Sequence, residues 1–456
     1  MGRKNLDKVA VCLTCHNYGQ FLEKSIISLL NQTHKNWEAY LFLEECSDNS
    51  LAVAEKFKKE KRIKLFLHKK KRGLQYCANR ALKLTDAKYF TRLDADDYLH
   101  ERAYEFFLDE FNKHKNITLV YSDYFYIDED GNVIDVNFNI DKKKKDNPAH
   151  GACSVFVKDK FLKLGGYKNF FKAQDGYDLW LSFLTQNYNI KHLKVPLFYY
   201  RQHPSSMSRN ENKISGERSK IKSYFNNSPI NKDKVAYIVG GADRKNFLLR
   251  QFNKKELIKY PIDVIKKISN KSNIFISTSE KKILKFSKEN NVKTILRPKN
   301  LNREFVTVSE VLIHAKKYIK KVFKKDFKIF VFINSFNPFV SDEYINQGLD
   351  HLQLFNCDNV IATYEDYDLH YIESENGLEK VFHKNHSQLR IDRQALYVDS
   401  RMYRIVWSKK VNIKMLNKNL KQNIGKIIIP RISSCNIRTE YDFLFSEKIY
   451  KSYSKK

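Results

Sequence analysis

The sequence has no run approaching the ~20 apolar residues that span a bilayer. Its first eight residues, Met1 to Lys8, are polar and lack the apolar centre of a secretory signal. A folded, soluble chain is the expectation, with any membrane contact peripheral. The seven cysteines, Cys12, Cys15, Cys46, Cys77, Cys153, Cys357 and Cys435, are odd in number and widely spread, unlike the dense even set of a secreted disulfide scaffold. A reducing, cytoplasmic setting fits them. Cys12 and Cys15 have CxxC spacing, but Cys12 sits inside the apolar run Val9 to Thr14 and Cys15 directly follows it, and no second pair completes a zinc site. The densest basic runs, Lys69 to Arg72 and Lys142 to Lys145, come without zinc-finger spacing or an aromatic RNA-binding signature, so nucleic acid is not an expected partner. There is no short-period repeat.

What is present is apolar surface and positive charge. Hydrophobic residues make up 42% and aromatics 14% of 456 residues, enough for folded cores. At roughly 150 residues per domain this length suggests two or three domains. The net charge of +31, from 83 Lys and Arg against 52 Asp and Glu, is spread through every segment, as solvated surface lysine usually is.

Short apolar runs at 9–13, 39–43, 63–67 and 89–93 alternate with helical patterns at 21–30, 51–59 and 74–84. That alternation predicts an α/β domain with a mostly parallel sheet and ligands gathered at the carboxyl ends of its strands. Residues 205–234 turn polar and rich in Asn, Ser and Lys, with Pro204, Gly216 and Pro229 as interruptions, and read as a connecting segment. The pattern restarts with strands at 235–239, 274–277 and 329–333 and helices at 262–268 and 281–289. Two tandem mostly parallel-sheet nucleotide-binding domains are expected, at 1–210 and 234–456, joined by 211–233.

The sharpest chemical feature is Tyr89-Phe90-Thr91-Arg92-Leu93-Asp94-Ala95-Asp96-Asp97, an apolar strand that runs into three carboxylates. Acids spaced by one residue at a strand end can turn their oxygens toward one hard cation, while a solvated acidic turn is the plainer alternative. With its neighbours the segment resembles the family 2 glycosyltransferases of the GT-A fold, over residues 7–210. Leu13-Thr14-Cys15-His16-Asn17-Tyr18 looks like the family's first strand and nucleotide loop. Glu44-Glu45-Cys46 stands where the family usually has paired Asp before Gly. Gly73-Leu74 and Asn79-Arg80 match, with Ala78 where Arg is usual, and Asp94-Ala95-Asp96 matches the metal motif without departure. His150-Gly151-Ala152 and Gly165-Gly166-Tyr167 resemble the acceptor-side segment. Ala173-Gln174-Asp175-Gly176-Tyr177-Asp178 resembles the segment of the catalytic acid, with Gln174 for Glu and Gly176 as an extra residue. Tyr200-Arg201-Gln202-His203 with Ser205, Ser206 and Ser208 resembles the closing loop.

The resemblance implies an inverting transfer of a sugar from a nucleotide-diphosphate donor, a UDP-sugar by family default, to a surface-glycan acceptor, free or lipid-linked. It implies Asp175 as base, with Asp178 as the rival and a helix N-terminal acid as that residue's plainer reading. It places Thr14, Asn17, Tyr18, Glu44, Glu45, Asn79, Arg80, Asp94 and Arg201 at the donor. It places Mn or Mg on Asp94, Asp96 and His203, with the enzyme in the cytoplasm or at the inner face of its membrane.

Residues 235–450 resemble the cytidylyltransferases that make CMP-activated acidic sugars, through Val239-Gly240-Gly241-Ala242-Asp243-Arg244-Lys245-Asn246, Ser277-Thr278, Leu296-Arg297-Pro298, Ser309-Glu310-Val311-Leu312, Arg393-Gln394 and Asn436-Ile437-Arg438. The departures fall where chemistry would live. Val239 replaces an Arg, Ala242 and Asp243 replace a Ser-Lys pair, and Asn436 and Arg438 replace two metal-binding Asp, which reverses the local charge where a magnesium triphosphate sits. This half is therefore expected to be a degenerate cytidylyltransferase and a homodimer surface. The alternatives are a bifunctional enzyme that also makes CMP-sugars, and an inactive binding protein for an anionic glycan or membrane.

Overall fold

A computed structural model describes residues 7–137, 150–203, 211–226, 230–243, 246–301, 306–375, 377–381, 396–416 and 421–453. Lys142 to Lys145, Ser205, Ser206, Ser208, Arg244, Lys245, Arg393 and Gln394 lie outside the described residues. The chain divides into two compact units whose described residues run 7–221 and 222–453.

In the first unit β1 (Val9–Cys15), β2 (Trp37–Glu44), β3 (Ile63–His68) and β4 (Tyr89–Asp94) alternate with α1 (Gly19–Leu30), α2 (Ser50–Glu55) and α3 (Leu74–Leu84). They pair in parallel in the order β3-β2-β1-β4. All of β2 and nearly all of β1 and β4 are buried, so these strands read as continuous apolar runs, the pattern of a parallel sheet covered on both faces. Leu22, Ile26 and Leu29 of α1 pack with Val9, Val11, Leu13, Leu41 and Leu93 in one core.

The rest of the unit is β5 (Tyr98–Leu99), α4 (Ala103–Lys113), β6 (Ile117–Ile127), β7 (Val133–Asn137), β8 (Ser154–Val157), α5 (Lys158–Lys163), α6 (Asp175–Thr185) and β9 (Asn189–Arg201). It extends the sheet beyond β4 as β8-β6-β9-β5, with β8 antiparallel to both β4 and β6. The sheet is therefore parallel on its N-terminal side and mixed beyond it. The acidic loop after β4 sits at that change of direction.

Two segments differ from their sequence patterns. The basic helix expected to Lys59 ends at Glu55, after which Lys56, Phe57 and Lys58 donate to carbonyls three residues back in a tightened turn. Within the expected connecting segment, residues Glu211–Phe225 form a 15-residue helix, α7. Gly216 costs it about 1 kcal/mol relative to Ala. Packing outweighs that cost: Ile221 is fully buried, and Glu217, 4% exposed, accepts a hydrogen bond from the Lys172 amide at 2.8 Å.

The second unit is a seven-stranded sheet. Strands Lys293–Leu296, Ile274–Thr278, Val235–Gly240 and Ile329–Ile333 lie side by side in parallel, followed by Leu396–Trp407 antiparallel, then Asn359–Asp366 and Ile424–Ile428. Helix Val308–Val322 opens with a capping box between Thr307 and Glu310 and presents Leu312, Ala315 and Ile319 to Ala236, Ile238, Phe275 and Phe330.

Candidate active site

Asp94 ends β4 and lies opposite Thr14 of β1. The chain then turns, with the Asp97 amide donating to the Asp94 carbonyl at 3.1 Å. Because side chains alternate along a strand, Arg92 and Asp94 share a face. Arg92, 5% exposed, places Nη1 at 2.6 and 2.5 Å from the two oxygens of Asp94 and Nε at 2.6 Å from Oδ2 of Asp175. Asp175 opens α6 directly after Gln174, which is held in the left-handed region at φ 63°. A residue without a glycine's freedom pays about 1–3 kcal/mol there. Arg218 Nε helps to fix it by donating to Gln174 Oε1 at 2.8 Å. Burial raises the Asp175 carboxyl above its ordinary range, and Arg92 opposes that rise.

Asp96 lies on the other side of the loop, with Oδ2 at 3.0 Å from Nε2 of His203. The His203 ring meets Tyr18 edge-on at 5.5 Å and lies 5.8 Å from Phe21. Burial raises the Asp96 carboxyl, Asp94 adds to the rise, and His203 counters it. Asp96 and His203 meet at one oxygen while both oxygens of Asp94 sit on Arg92, so these three do not bring their donor atoms within 4.8 Å of one another; among the described residues Glu44, His68 and Cys77 do. The oxygen and imidazole donors of Asp94, Asp96 and His203 suit in type the metal that the motif implies, and Asp94 has to leave Arg92 before the three can share it.

Other residues named from the sequence are engaged by the protein itself. Glu44, 3% exposed, accepts from His68 Nδ1 at 2.7 Å and from the amides of Arg72 and Gly73 at 3.1 and 2.6 Å. Although burial pushes its carboxyl up, these bonds bring it below the usual range. Arg80 Nη1 lies 3.0 Å from His68 Nε2, and since arginine only donates, the histidine proton sits on Nδ1 and points at Glu44. Gly73, at φ 90°, makes the turn that delivers both amides and starts α3. Glu45, at φ 50° and exposed, accepts from the Lys71 amide at 3.2 Å. Asn17, at φ 59°, accepts from the Ser47 amide at 2.8 Å. Asn79 bonds both the amide and the carbonyl of Tyr167, at 2.9 and 2.7 Å, so it joins α3 to the Gly165-Gly166 turn. Asp178 is fully buried beneath the Lys168 amide at 2.9 Å. His150 packs 4.5 Å from Tyr200, and burial lowers it to about 4, so it is neutral.

Arg201 is 2% exposed and donates to the carbonyls of Asp96, Asp128 and Glu129 at 2.8, 2.9 and 2.6 Å, over the ring of Phe21. Its own amide donates to Asp97 Oδ1 at 2.9 Å. It braces the acidic loop from below. Arg201→Ala is expected to cost about 3 kcal/mol of stability, since it removes a buried guanidinium and its three charge-assisted bonds to part-buried carbonyls. Urea unfolding of the variant checks this; a cost under about 1 kcal/mol contradicts the bracing role.

The sequence matches two family models, glycosyl transferase family 2 over residues 10–160 and cytidylyltransferase over residues 244–426. The chain carries a family 2 glycosyl transferase domain followed by a cytidylyltransferase domain. The glycosyltransferase domain is 29% identical to a chondroitin synthase of Escherichia coli over 137 residues, 30% of this chain and 20% of that one. It is 29% identical over 209 residues, 44% of this chain and 80% of that one, to an Escherichia coli UDP-Glc:alpha-D-GlcNAc-diphosphoundecaprenol beta-1,3-glucosyltransferase. Staphylococcus aureus TarS residues 1–349, solved with UDP, aligns at a TM-score of 0.40 and 13% identity over 50% of this chain and 68% of that one. The chain thus spans a fifth of the chondroitin synthase that it matches.

In the second unit, outside the residues matched by the cytidylyltransferase model, Asn436 Oδ1 accepts from Asn334 at 2.9 Å while its Nδ2 donates to the carbonyls of Ser400 and Ser434 at 2.7 and 3.0 Å. The amides of Arg438 and Thr439 donate to Asp442 Oδ2 at 3.0 and 2.8 Å. Asp243 accepts from the amides of Phe247 and Leu248, both at 2.8 Å. Asn436 and Asp243 thus serve the fold.

Proposed function

We propose that the first unit is an inverting, metal-dependent glycosyltransferase that moves a sugar from a nucleotide-diphosphate donor, a UDP-sugar first among candidates, to a glycan or lipid-linked glycan acceptor of a cell surface. The observation that carries this reading is the meeting of Asp94 and Asp175 on one guanidinium. It sets a candidate base beside the acids of the metal motif. Asp175 accepts the proton of the acceptor hydroxyl as that oxygen attacks the anomeric carbon opposite the leaving diphosphate. A divalent cation held by Asp94, Asp96 and His203 supplies charge neutralisation for that leaving group. Tyr18 and Phe21 fix the His203 ring, and Arg201 fixes the loop that carries Asp96. The exposed Glu45, rather than the buried Glu44, is left to meet the donor's base, with Thr14 near the end of β1 and Asn17 in the loop after it, while Arg80 of α3 is engaged with His68.

Release of nucleoside diphosphate from a panel of donors, with and without manganese, tests the reading. Release that needs no divalent ion, or from no donor at all, contradicts it.

The acceptor brings the enzyme to the inner face of the cytoplasmic membrane as a peripheral protein; no described helix is long and apolar enough to cross a membrane. The second unit serves as a homodimer surface. With Asn436 and Asp243 bonded into the fold and Arg438 in a ligand position, CTP and an acidic sugar should give no CMP-sugar, and the full chain should sediment as a dimer. Ready CMP-sugar formation makes the protein bifunctional instead, and a monomeric mass removes the dimer role.

A further inference from the structure

We propose that Arg92 is a positioning residue for this transfer: a resident cation that occupies Asp94 until a divalent ion replaces it, and that holds Asp175 in place as base. The inference rests on the glycosyltransferase reading above and adds to it a residue that the metal motif does not contain.

An arginine in the middle of a buried strand is costly unless its charge is matched and its donors are used. Arg92 matches its charge with two carboxylates from separate elements: Nη1 bonds Asp94 of its own strand, and Nε faces Asp175 of α6 as an ion pair outside hydrogen-bond geometry. With both acids ionised the triad carries one net negative charge, so it still attracts a cation. The contact with Asp94 takes both of its oxygens through the single nitrogen Nη1, whereas Asp175 is held through Nε. The two attachments are therefore separable. A divalent ion held by Asp94 would take the place of Nη1 and leave Nε paired with Asp175.

The backbone of Gly151 closes the triad on one side. A Cβ on that residue would lie 2.8 Å from Nε and Nη2 of Arg92 and 2.8 Å from Oδ2 of Asp175. Glycine at 151 therefore leaves the room in which the guanidinium and the Asp175 carboxylate stand side by side.

Manganese titration of the full-length protein, read by loss of the free Mn2+ electron paramagnetic resonance signal, tests the first half without any donor. Arg92→Met should bind Mn2+ about tenfold more tightly or better, because a unit positive charge a few ångströms from the ion is gone. Arg92→Lys should stay within about threefold of the parent. A merely structural role predicts weaker binding in Arg92→Met, and weaker or unchanged affinity there overturns the displacement.

The second half is read as UDP released from UDP-glucose with manganese and water as acceptor. Arg92→Lys, which offers a point charge in place of a fork, should lower kcat by ~10 to 100-fold with the donor KM within about threefold. In an Asp175→Asn background it should cost nothing further. An equal loss in both backgrounds overturns the action through Asp175. If Asp175→Asn alone keeps full turnover, the base assignment fails, and the manganese arm still judges Arg92. Near-UV circular dichroism identifies an Arg92→Met protein that has not folded, in which case Arg92→Lys decides: lost turnover at unchanged manganese affinity supports the proposal, and unchanged turnover overturns it.

Discussion

Replacing Asp96 by alanine should reduce nucleoside diphosphate release by ~1000-fold or more while leaving the metal-free fold intact. The first part follows from the charge that one ligand carries: a divalent ion held by Asp94 and His203 alone is bound weakly and offsets less of the charge on a leaving diphosphate. The second part follows from where Asp96 sits. Burial and the neighbouring Asp94 both raise its carboxyl above the usual range. A group whose folded pKa is raised in this way withdraws stability as pH rises through that pKa, so at neutral pH its ionised form is a strain on the metal-free protein. Asp96→Ala should therefore melt at or slightly above the parent temperature without metal, and should lose the stabilisation that manganese gives the parent. Asp94→Ala should be equally inactive but differently stable, because it removes the two-oxygen partner of a buried guanidinium and so melts lower. Thermal melts of the three proteins with and without manganese separate these outcomes. Full turnover in Asp96→Ala would falsify the metal assignment.

How much of this was legible in the sequence depends on how local the causes are. The strands at 63–67, 274–277 and 329–333 and the helices at 74–84 and 281–289 fall within a residue or so of their patterns, because a period of 2 or 3.6 is set by which face is buried. Helix α7 was not legible, since its pattern is weak while Ile221 is buried and Glu217 meets a partner far away in sequence. In the site, the acids after β4 stand out because a buried strand does not end in three carboxylates without a reason. Arg92 carried a signal that went unread, a charged residue inside the apolar run Tyr89 to Leu93, two places before Asp94 and so on its face. The engagement of Glu44 by His68, Arg72 and Gly73 had no signal at all. It depends on where the turn before α3 delivers its amides, and spacing along the chain does not fix that. The same holds for Arg201, whose charge in a closing-loop motif suggests a phosphate partner while its position under the loop gives it three carbonyls.

Burial and what each oxygen touches favour Asp175 over Asp178 as the proposed base, and the two substitutions should separate cleanly. Asp178 is fully buried, with Oδ2 on the Lys168 amide at 2.9 Å and Oδ1 at 3.4 Å from Ser182 Oγ, so no acceptor hydroxyl reaches it. Burial raises its carboxyl to about 6. Its ordinary value is about 3.9, so the contribution it makes to stability is complete below about pH 4 and is lost as pH rises through about 6. Asparagine keeps an acceptor for the Lys168 amide and has no charge to lose. Asp178→Asn should therefore stay within about tenfold of parent turnover and should lack the fall in melting temperature that the parent shows between about pH 4 and 7. Asp175 keeps 16% of its side chain open and is held by Arg92 on one oxygen, which leaves the carboxylate able to take a proton. Asp175→Asn should keep donor binding and lose ~100 to 10,000-fold in turnover at saturating manganese, with weaker manganese binding because its triad with Arg92 and Asp94 then has no net charge. If Asp178→Asn is instead the inactive protein and Asp175→Asn the competent one, the added Gly176 has moved the base one turn along α6, and the pairing of Arg92 with Asp175 is a structural bond only.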